Sequence, residues 1–183
     1  TFLEAAIANT IVKGAAAMGW LKRAGKEIAK SQIEDYIGWY TPSGFYATQA
    51  YYESKELHVS THMYGHRRIK VMSEGSKPSV RRHGAGMAPN FVHSMDASHL
   101  HLVACRMARE VPGASLAFIH DSFGTQASET QRLYDALRDE FVLMYENSNP
   151  VAALASGYWI TELPPERGDL DLAGVRASQF VFS

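Results

Sequence analysis

The sequence predicts an α+β chain, and three observations carry that expectation. Apolar residues recur at helical spacing near the beginning, the middle and the last third of the chain. Aromatic, strand-favouring stretches flank a T-P-S-G turn at residues 41–44. A short apolar run, L-A-F-I at 116–119, stops abruptly at His120 and Asp121. The 183 residues suffice for one domain with a real core, or for a piece of a larger one.

Taken in order, Leu3, Ile7, Ile11, Met18, Leu21 and Ile28 fall at steps mostly of three, four or seven. That spacing marks one face of a long helix over 1–35, weakened by Gly14, Gly19 and Gly25. Residues 36–72 form a hairpin region. Pro42 suits the second position of its turn and Gly44 the end, and the segment 56–72 is extended as well. Residues 73–88 read as a basic loop around G-S-K-P-S. A helix over 89–110 follows, with Pro89 in its first turn and V-P-G at 111–113 closing it. Next comes a strand–turn–strand unit over 115–126. A helix over 128–147 has S-E-T-Q as a capping box, Ser128 being the N-cap and Gln131 the third helical position. Its buried stripe is Leu133, Leu137, Phe141 and Met144 or Tyr145. Residues 150–183 make a C-terminal tail, in which a proline-rich loop, E-L-P-P-E-R-G-D-L-D-L, leads to A-S-Q-F-V-F-S.

The apolar fraction of 46% and charged fraction of 20% are those of an ordinary globular protein. No stretch has the apolar length of a membrane span, and the opening residues lack the pattern of a signal peptide. The single cysteine, Cys105, excludes an internal disulfide framework and a cysteine-based zinc site, which suits a reducing compartment. A formal net charge of −1 gives no whole-chain footprint for nucleic acid. The charge is uneven, however. Arg67, Arg68, Lys70, Lys77, Arg81 and Arg82 face only Glu74 between residues 66 and 83. Such a run is ordinarily a solvated face, and gains meaning only beside something that handles phosphate.

His93, Asp96, Leu100, Val103 and Met107 succeed one another at steps of three and four, so they share a helix stripe. Its apolar end belongs in the core, which puts His93 and Asp96 at the rim. A capping aspartate and a satisfied histidine would explain that pair equally well. Asp121 is harder to dismiss, because an all-apolar lead-in fits a central strand buried on both sides. A carboxylate where such a strand surfaces needs a cation or several donors, and Gly124 just beyond allows a bend or a close backbone approach. Magnesium suits one or two carboxylates completed by water and phosphate oxygens. Two readings stay open on the residues alone. One is a metal-dependent hydrolase drawing on His93, Asp96, His99, His101, His120 and Asp121, although no H-x-x-x-H pair occurs on this helix. The other is phosphoryl transfer, with Asp121 as magnesium ligand and the Arg81–Arg82 run supplying cations.

The motif A-P-N-F-V-H-S-M-D-A-S-H-L (88–100), followed by I-H-D-S-F-G-T (119–125), closely resembles the C-terminal part of phage-type single-subunit DNA-directed RNA polymerases. The W-Y-T-P-S-G-F hairpin and the aromatic tail extend that resemblance over nearly the whole chain. It implies the C-terminal part of a right-hand polymerase palm, with helices packed on a small antiparallel sheet. It implies template-dependent nucleotidyl transfer from nucleoside triphosphates to RNA with Mg2+. Asp121 would be one of two metal-binding aspartates, and His120 would position the primer end. His93 would reach the terminal base pair or nucleotide site, and Asp96 would hold local structure. Arg81 and Arg82 would contact phosphates, and Phe180, Phe182 and Ser183 would pack beneath the site.

The implied partners are a DNA template, the nascent RNA and the missing N-terminal part of the polymerase, in the same chain or a separate subunit. No membrane is involved, and the location is the host-cell cytoplasm for a phage protein or the mitochondrion for an organellar one. The second aspartate and the triphosphate-binding helix have no counterpart in residues 1–87, so these residues alone are expected not to synthesise RNA. Met95 stands where a glutamine is common in the family, and Ala97 where glycine or serine is common. Ser122 stands where related DNA polymerases tend to carry an acid, which favours the RNA enzymes. A non-catalytic nucleic-acid-binding relic of the palm is the remaining alternative.

Overall fold

The computed structural model describes residues 2–31, 34–62 and 65–178. Helices α1 (Phe2–Thr10) and α2 (Val12–Ser31) lead into strands β1 (Ile37–Tyr40), β2 (Tyr46–Gln49), β3 (Tyr52–Thr61) and β4 (Arg67–Pro78). The long helix α3 (Val80–Glu110) connects these to β5 (Leu116–Ile119) and β6 (Ser122–Thr125). A 3-10 turn (Ala127–Glu129), α4 (Thr130–Asn147), α5 (Pro150–Gly157) and α6 (Leu172–Ala177) complete the order. The strands form three separate two-stranded antiparallel sheets, β1–β2, β3–β4 and β5–β6. The α+β expectation holds: small antiparallel sheets are arranged along helices. Among the described residues no helix is long and apolar enough to cross a membrane.

Helix α3 is the spine, and two cores form along it. On its N-terminal half, Met87, Phe91 and Met95 pack with Trp20, Leu21, Ala24 and Ile28 of α2, Ile37 and Trp39 of β1, and Leu154 of α5. The two long helices approach closely because glycines line their crossing. A β-carbon on Gly25 would lie 2.8 Å from Met87 Cβ, and one on Gly84 would lie 3.1 Å from the Lys22 carbonyl oxygen. On the C-terminal half, Val103 and Met107 pack with Leu133, Ala136 and Leu137 of α4, and with Leu116, Phe118 and Phe123 of the last hairpin.

Several expectations need correction. The helix expected over 1–35 is broken at Ile11, and both Ile11 and Met18 are exposed. The buried stripe of α2 follows the contact with α3 instead, so Gly25 marks the packing line rather than a weakness. Residues 73–88 are not a loop. They finish β4 and begin α3, which starts at Val80, and Pro89 lies inside the helix. Proline removes one intrahelical bond, but Met87, Ala88, Phe91 and Met95 are all buried around it and hold the helix through. Residues 36–72 divide between β1–β2, β3 and the first half of β4.

The capping box at Ser128 does not form, because Ser128 sits in the 3-10 turn and the N-cap of α4, Glu129, makes no side-chain cap bond. The tail contains two helices. Asn149 Oδ1 accepts from the Ala152 N–H and Pro150 takes a first-turn position, a start signal that the small, weakly periodic residues after it obscure. Asp171 similarly caps α6. The terminal Phe180, Phe182 and Ser183 lie outside the described residues.

Candidate active site

Strand β5 is not the central, doubly buried strand that its composition suggests. Among the described residues it pairs only with β6, Phe118 opposite Phe123 and Ile119 opposite Ser122. Leu116 and Phe118 turn inward while Ala117 and Ile119 are exposed. The apolar outer face therefore has no covering strand here. The reversal falls at His120, whose φ of 55° is the one positive value at a non-glycine among the described residues. Histidine is among the residues that tolerate this left-handed region. Gly124 serves a different purpose: a β-carbon there would lie 3.3 Å from the Ala117 carbonyl oxygen across the ladder.

The hairpin is held down by aromatic contacts. Phe118 and Phe123 meet edge-on at 5.1 Å between ring centroids, and Phe123 lies 5.8 Å from the ring of His99. Val111, just past the end of α3, packs in the same core as Leu116 at the hairpin base. The hairpin thus runs back along α3, from the helix end towards His99. His120 and Asp121 stand at its tip, and Asp96 and His93 lie about one and nearly two turns before His99 on α3. All four of these side chains belong to exposed residues. Asp121 makes no hydrogen bond or ion pair with any described residue, so its carboxylate oxygens are available to an external ligand.

His99 is different. It is buried, and its Nε2–H donates to the Leu137 carbonyl oxygen at 2.8 Å. Burial lowers its pKa, with the Leu137 bond and the Asp96 charge opposing. His99 is therefore a neutral tie between α3 and α4, not a member of an open metal set. Burial likewise raises the pKa of Tyr145, and the charge of Asp96 adds to the shift. Asp96, on α3, accordingly lies within electrostatic reach of His99 and of Tyr145 on α4.

Arg81 and Arg82 occupy the first turn of α3, about 18 Å along the helix axis from His93 at 1.5 Å per residue. The structure does not bring them to the hairpin tip. Arg82 is also engaged: its Nη1 donates to the Tyr52 carbonyl oxygen at 3.0 Å, and its guanidinium lies 5.3 Å from the centre of the Tyr51 ring. Beside it, buried His83 accepts the Tyr51 N–H at Nε2, and Ser79 N–H donates to Tyr51 O. These contacts clamp the base of the β3–β4 ribbon onto α3. Sequence reasoning missed this clamp, because its partners are backbone groups that carry no residue signature.

A fit for magnesium can be judged from the donors. Among the described residues no group of three or more His, Cys, Asp or Glu side chains could hold a metal ion. The hairpin tip supplies one hard carboxylate, where a magnesium site draws one or two from protein. Asp121 fits such an ion as a single ligand, provided that a second carboxylate arrives from outside these residues.

The arrangement is an antiparallel hairpin with an H-D pair at its tip, backed by α3 and flanked by α4. The family described as DNA-dependent RNA polymerase matches residues 2–161. The DNA-directed RNA polymerase of Pseudomonas phage phiKMV is 33% identical over all of this chain, covering 22% of the phage protein. That of Enterobacteria phage T3 is 30% identical over 97% of the chain and 23% of its own length. A chloroplastic/mitochondrial DNA-directed RNA polymerase of Arabidopsis thaliana is 32% identical over 98% of the chain and 18% of its own length. The chain belongs to the phage-type DNA-directed RNA polymerase family, and spans about a fifth of the length of these relatives.

Proposed function

We propose that this chain is the catalytic C-terminal portion of an RNA polymerase that transfers nucleotides from nucleoside triphosphates to RNA on a DNA template. The observation that carries the reading is the placement of Asp121. Its free carboxylate stands at the end of a hairpin anchored by Phe123 and His99, within a chain of this family. Asp121 would hold Mg2+ together with an aspartate from the upstream part of the polymerase. When bound, the ion stabilises charge on the attacking and leaving oxygens.

The residues of this chain do the positioning. His120, fixed by its left-handed backbone, orients the primer end. His93 faces the terminal base pair or the nucleotide, and Asp96 holds the helix turn that presents it. Arg81 contacts backbone phosphate at a distance from the reacting centre, where contacts set register rather than sequence. Arg82 shares that role only so far as its bond to Tyr52 allows. The partners are DNA, nascent RNA and the upstream polymerase segment, in host cytoplasm for a phage enzyme or in the mitochondrion for an organellar one. The hydrolase reading loses support because His99 is committed to the Leu137 carbonyl.

Combining the chain with the upstream polymerase part and assaying template-dependent RNA synthesis tests the reading. Asp121→Asn is expected to lower the rate on the order of 10²–10³-fold or more, as removal of a transition-state charge stabiliser does. Undiminished synthesis by that variant would remove Asp121 from the mechanism.

A further inference from the structure

A cavity of about 830 Å³ opens between the end of α2, the β1–β2 hairpin and α5, remote in sequence from Asp121. Its wall is aromatic: Tyr36, Trp39, Tyr40, Tyr46, Tyr158 and Trp159 all contribute. Glu27 and Glu34 lie among them, and among the described residues Lys30 is the one cation that lines it.

The walls are fixed by specific contacts. The Tyr158 hydroxyl accepts the Gly38 N–H and donates to the Gly38 carbonyl oxygen, each at 2.8 Å, tying α5 to β1. Gly38 must lack a side chain, since a β-carbon would lie 2.2 Å from the Tyr46 hydroxyl. The Tyr40 and Tyr46 rings lean together at 4.8 Å, and the Trp39 indole N–H donates to Ser94 Oγ at 2.8 Å. Glu27 is set by the Thr161 N–H and hydroxyl, whose bonds keep its carboxyl below the ordinary range. Glu34 has no ion-pair partner among the described residues. Beside Tyr158 stands Trp159, 98% exposed.

We infer that this face is a docking surface for a polypeptide segment that inserts a lysine or arginine side chain into the cavity and lays an apolar residue on Trp159. The segment is supplied by the upstream part of the polymerase. Charge selects the chemistry: two carboxylates against one ammonium leave the cavity acidic. Aromatic faces attract a cation within about 6 Å of their centres. A nucleic-acid strand could stack on the same rings, but it would bring phosphates against Glu27 and Glu34. Size and length select the source. The relatives extend far beyond the matched segment, which covers 22% of the phiKMV protein, so a large part of the polymerase must meet this chain somewhere. A bare tryptophan next to a ligand-sized, rigid cavity has the composition of an interface hot spot.

The choice of partner rests on the polymerase reading, and the experiment separates the two. The upstream part of the polymerase is expressed as a separate polypeptide, and its association with this chain is measured by titration. Trp159→Ala and Glu34→Lys are each expected to weaken association by about 30-fold, the scale of a 2 kcal/mol hot spot. Both residues are exposed, and a thermal melt of each variant confirms that the fold persists. Asp121→Asn should leave association unchanged while abolishing RNA synthesis. Association insensitive to both Trp159→Ala and Glu34→Lys would overturn the docking surface while leaving the polymerase reading intact. Synthesis surviving Asp121→Asn, with binding still dependent on Trp159, would overturn only the catalytic assignment. Self-association of this chain that is abolished by Trp159→Ala would replace the upstream segment with a second copy and overturn the inference.

Discussion

The two ends of α3 are supported very differently. Its N-terminal half is enclosed by α2, β1 and α5, with large side chains such as Trp20 and Met87 at 1% and 0% exposure. Its C-terminal half rests on a smaller cluster, mainly Val103, Met107, Leu133, Ala136 and Leu137. The hairpin that carries His120 and Asp121 belongs to the second, and its outer face at Ile119 is 69% exposed. The well-built half holds the scaffold, while the half that carries His120 and Asp121 leaves the outer face of its hairpin uncovered among the described residues. The hairpin tip is therefore less supported than the scaffold behind it.

The largest effect should come from the stronger core. Trp20→Ala removes a fully buried indole and orphans the Glu162 carbonyl oxygen, which its N–H reaches at 3.0 Å. A loss of about 3–5 kcal/mol is expected in urea unfolding. Leu137→Ala, in the smaller cluster, should cost about 2–4 kcal/mol. Should Leu137→Ala prove the more damaging, the ranking of the two cores is reversed.

Phe123→Ala sharpens the contrast, because Phe123 joins the hairpin to α3 yet is only half-buried. About 2 kcal/mol of stability is expected to go, less than for a fully buried ring. RNA synthesis in the reconstituted enzyme should fall by a larger factor than stability implies, since the tip loses its anchor. Equal losses in both would mean that upstream polypeptide, not Phe123, sets the hairpin.

How much of this was legible in the sequence follows the same division. The turn at Pro42–Gly44, the hairpin at 116–125 and the stripe of α4 were readable, because each depends on local pattern or turn chemistry. The extent of α3 was not. Pro89 reads as a helix start, and only the burial of Met87 and Phe91 on either side carries the helix through it. Gly25 read as a weak point, whereas the closeness of α2 and α3 requires it, together with Gly84. The position of the H-D pair at the strand end was legible, but the state of its strand was not, since an apolar run looks alike whether or not its second face is covered. Nothing local marks Trp159, which matters only because Gly38, Tyr46 and Tyr158 build a cavity beside it.

One buried histidine lies in each half, and both are held neutral. Burial lowers the pKa of His83 and, in the other half, of His99. Each therefore binds its proton more readily unfolded than folded. The stability associated with them is complete above the ordinary histidine value of about 6.5 and declines as pH falls from there towards the lowered folded values. Each group adds at most about 1.4 kcal/mol per pH unit to that slope. His99→Gln should flatten the decline measured by urea unfolding between pH 7 and 5 (about the histidine window). His83→Gln should flatten it too, while loosening the ribbon clamp. An unchanged slope in both variants would mean that folding does not lower the proton affinity of either ring.

The smallest effects separate two adjacent arginines of the first turn of α3. Arg82 donates to Tyr52 O and covers the Tyr51 ring, so Arg82→Ala should cost about 0.5–1.5 kcal/mol by removing that bond and the stacking. Arg81 is exposed and makes no hydrogen bond or ion pair with any described residue, so Arg81→Ala should change stability by less than about 0.5 kcal/mol. Template binding by the reconstituted polymerase should show the opposite order. Removing a phosphate-binding guanidinium at Arg81 lowers the slope of log affinity against log salt by about one, without altering sequence preference. Arg82, held to the ribbon by Tyr51 and Tyr52, should leave that slope nearly unchanged. If Arg82→Ala flattens the salt dependence and Arg81→Ala does not, Arg82 leaves Tyr52 for the nucleic acid, and the clamp seen here opens when template binds.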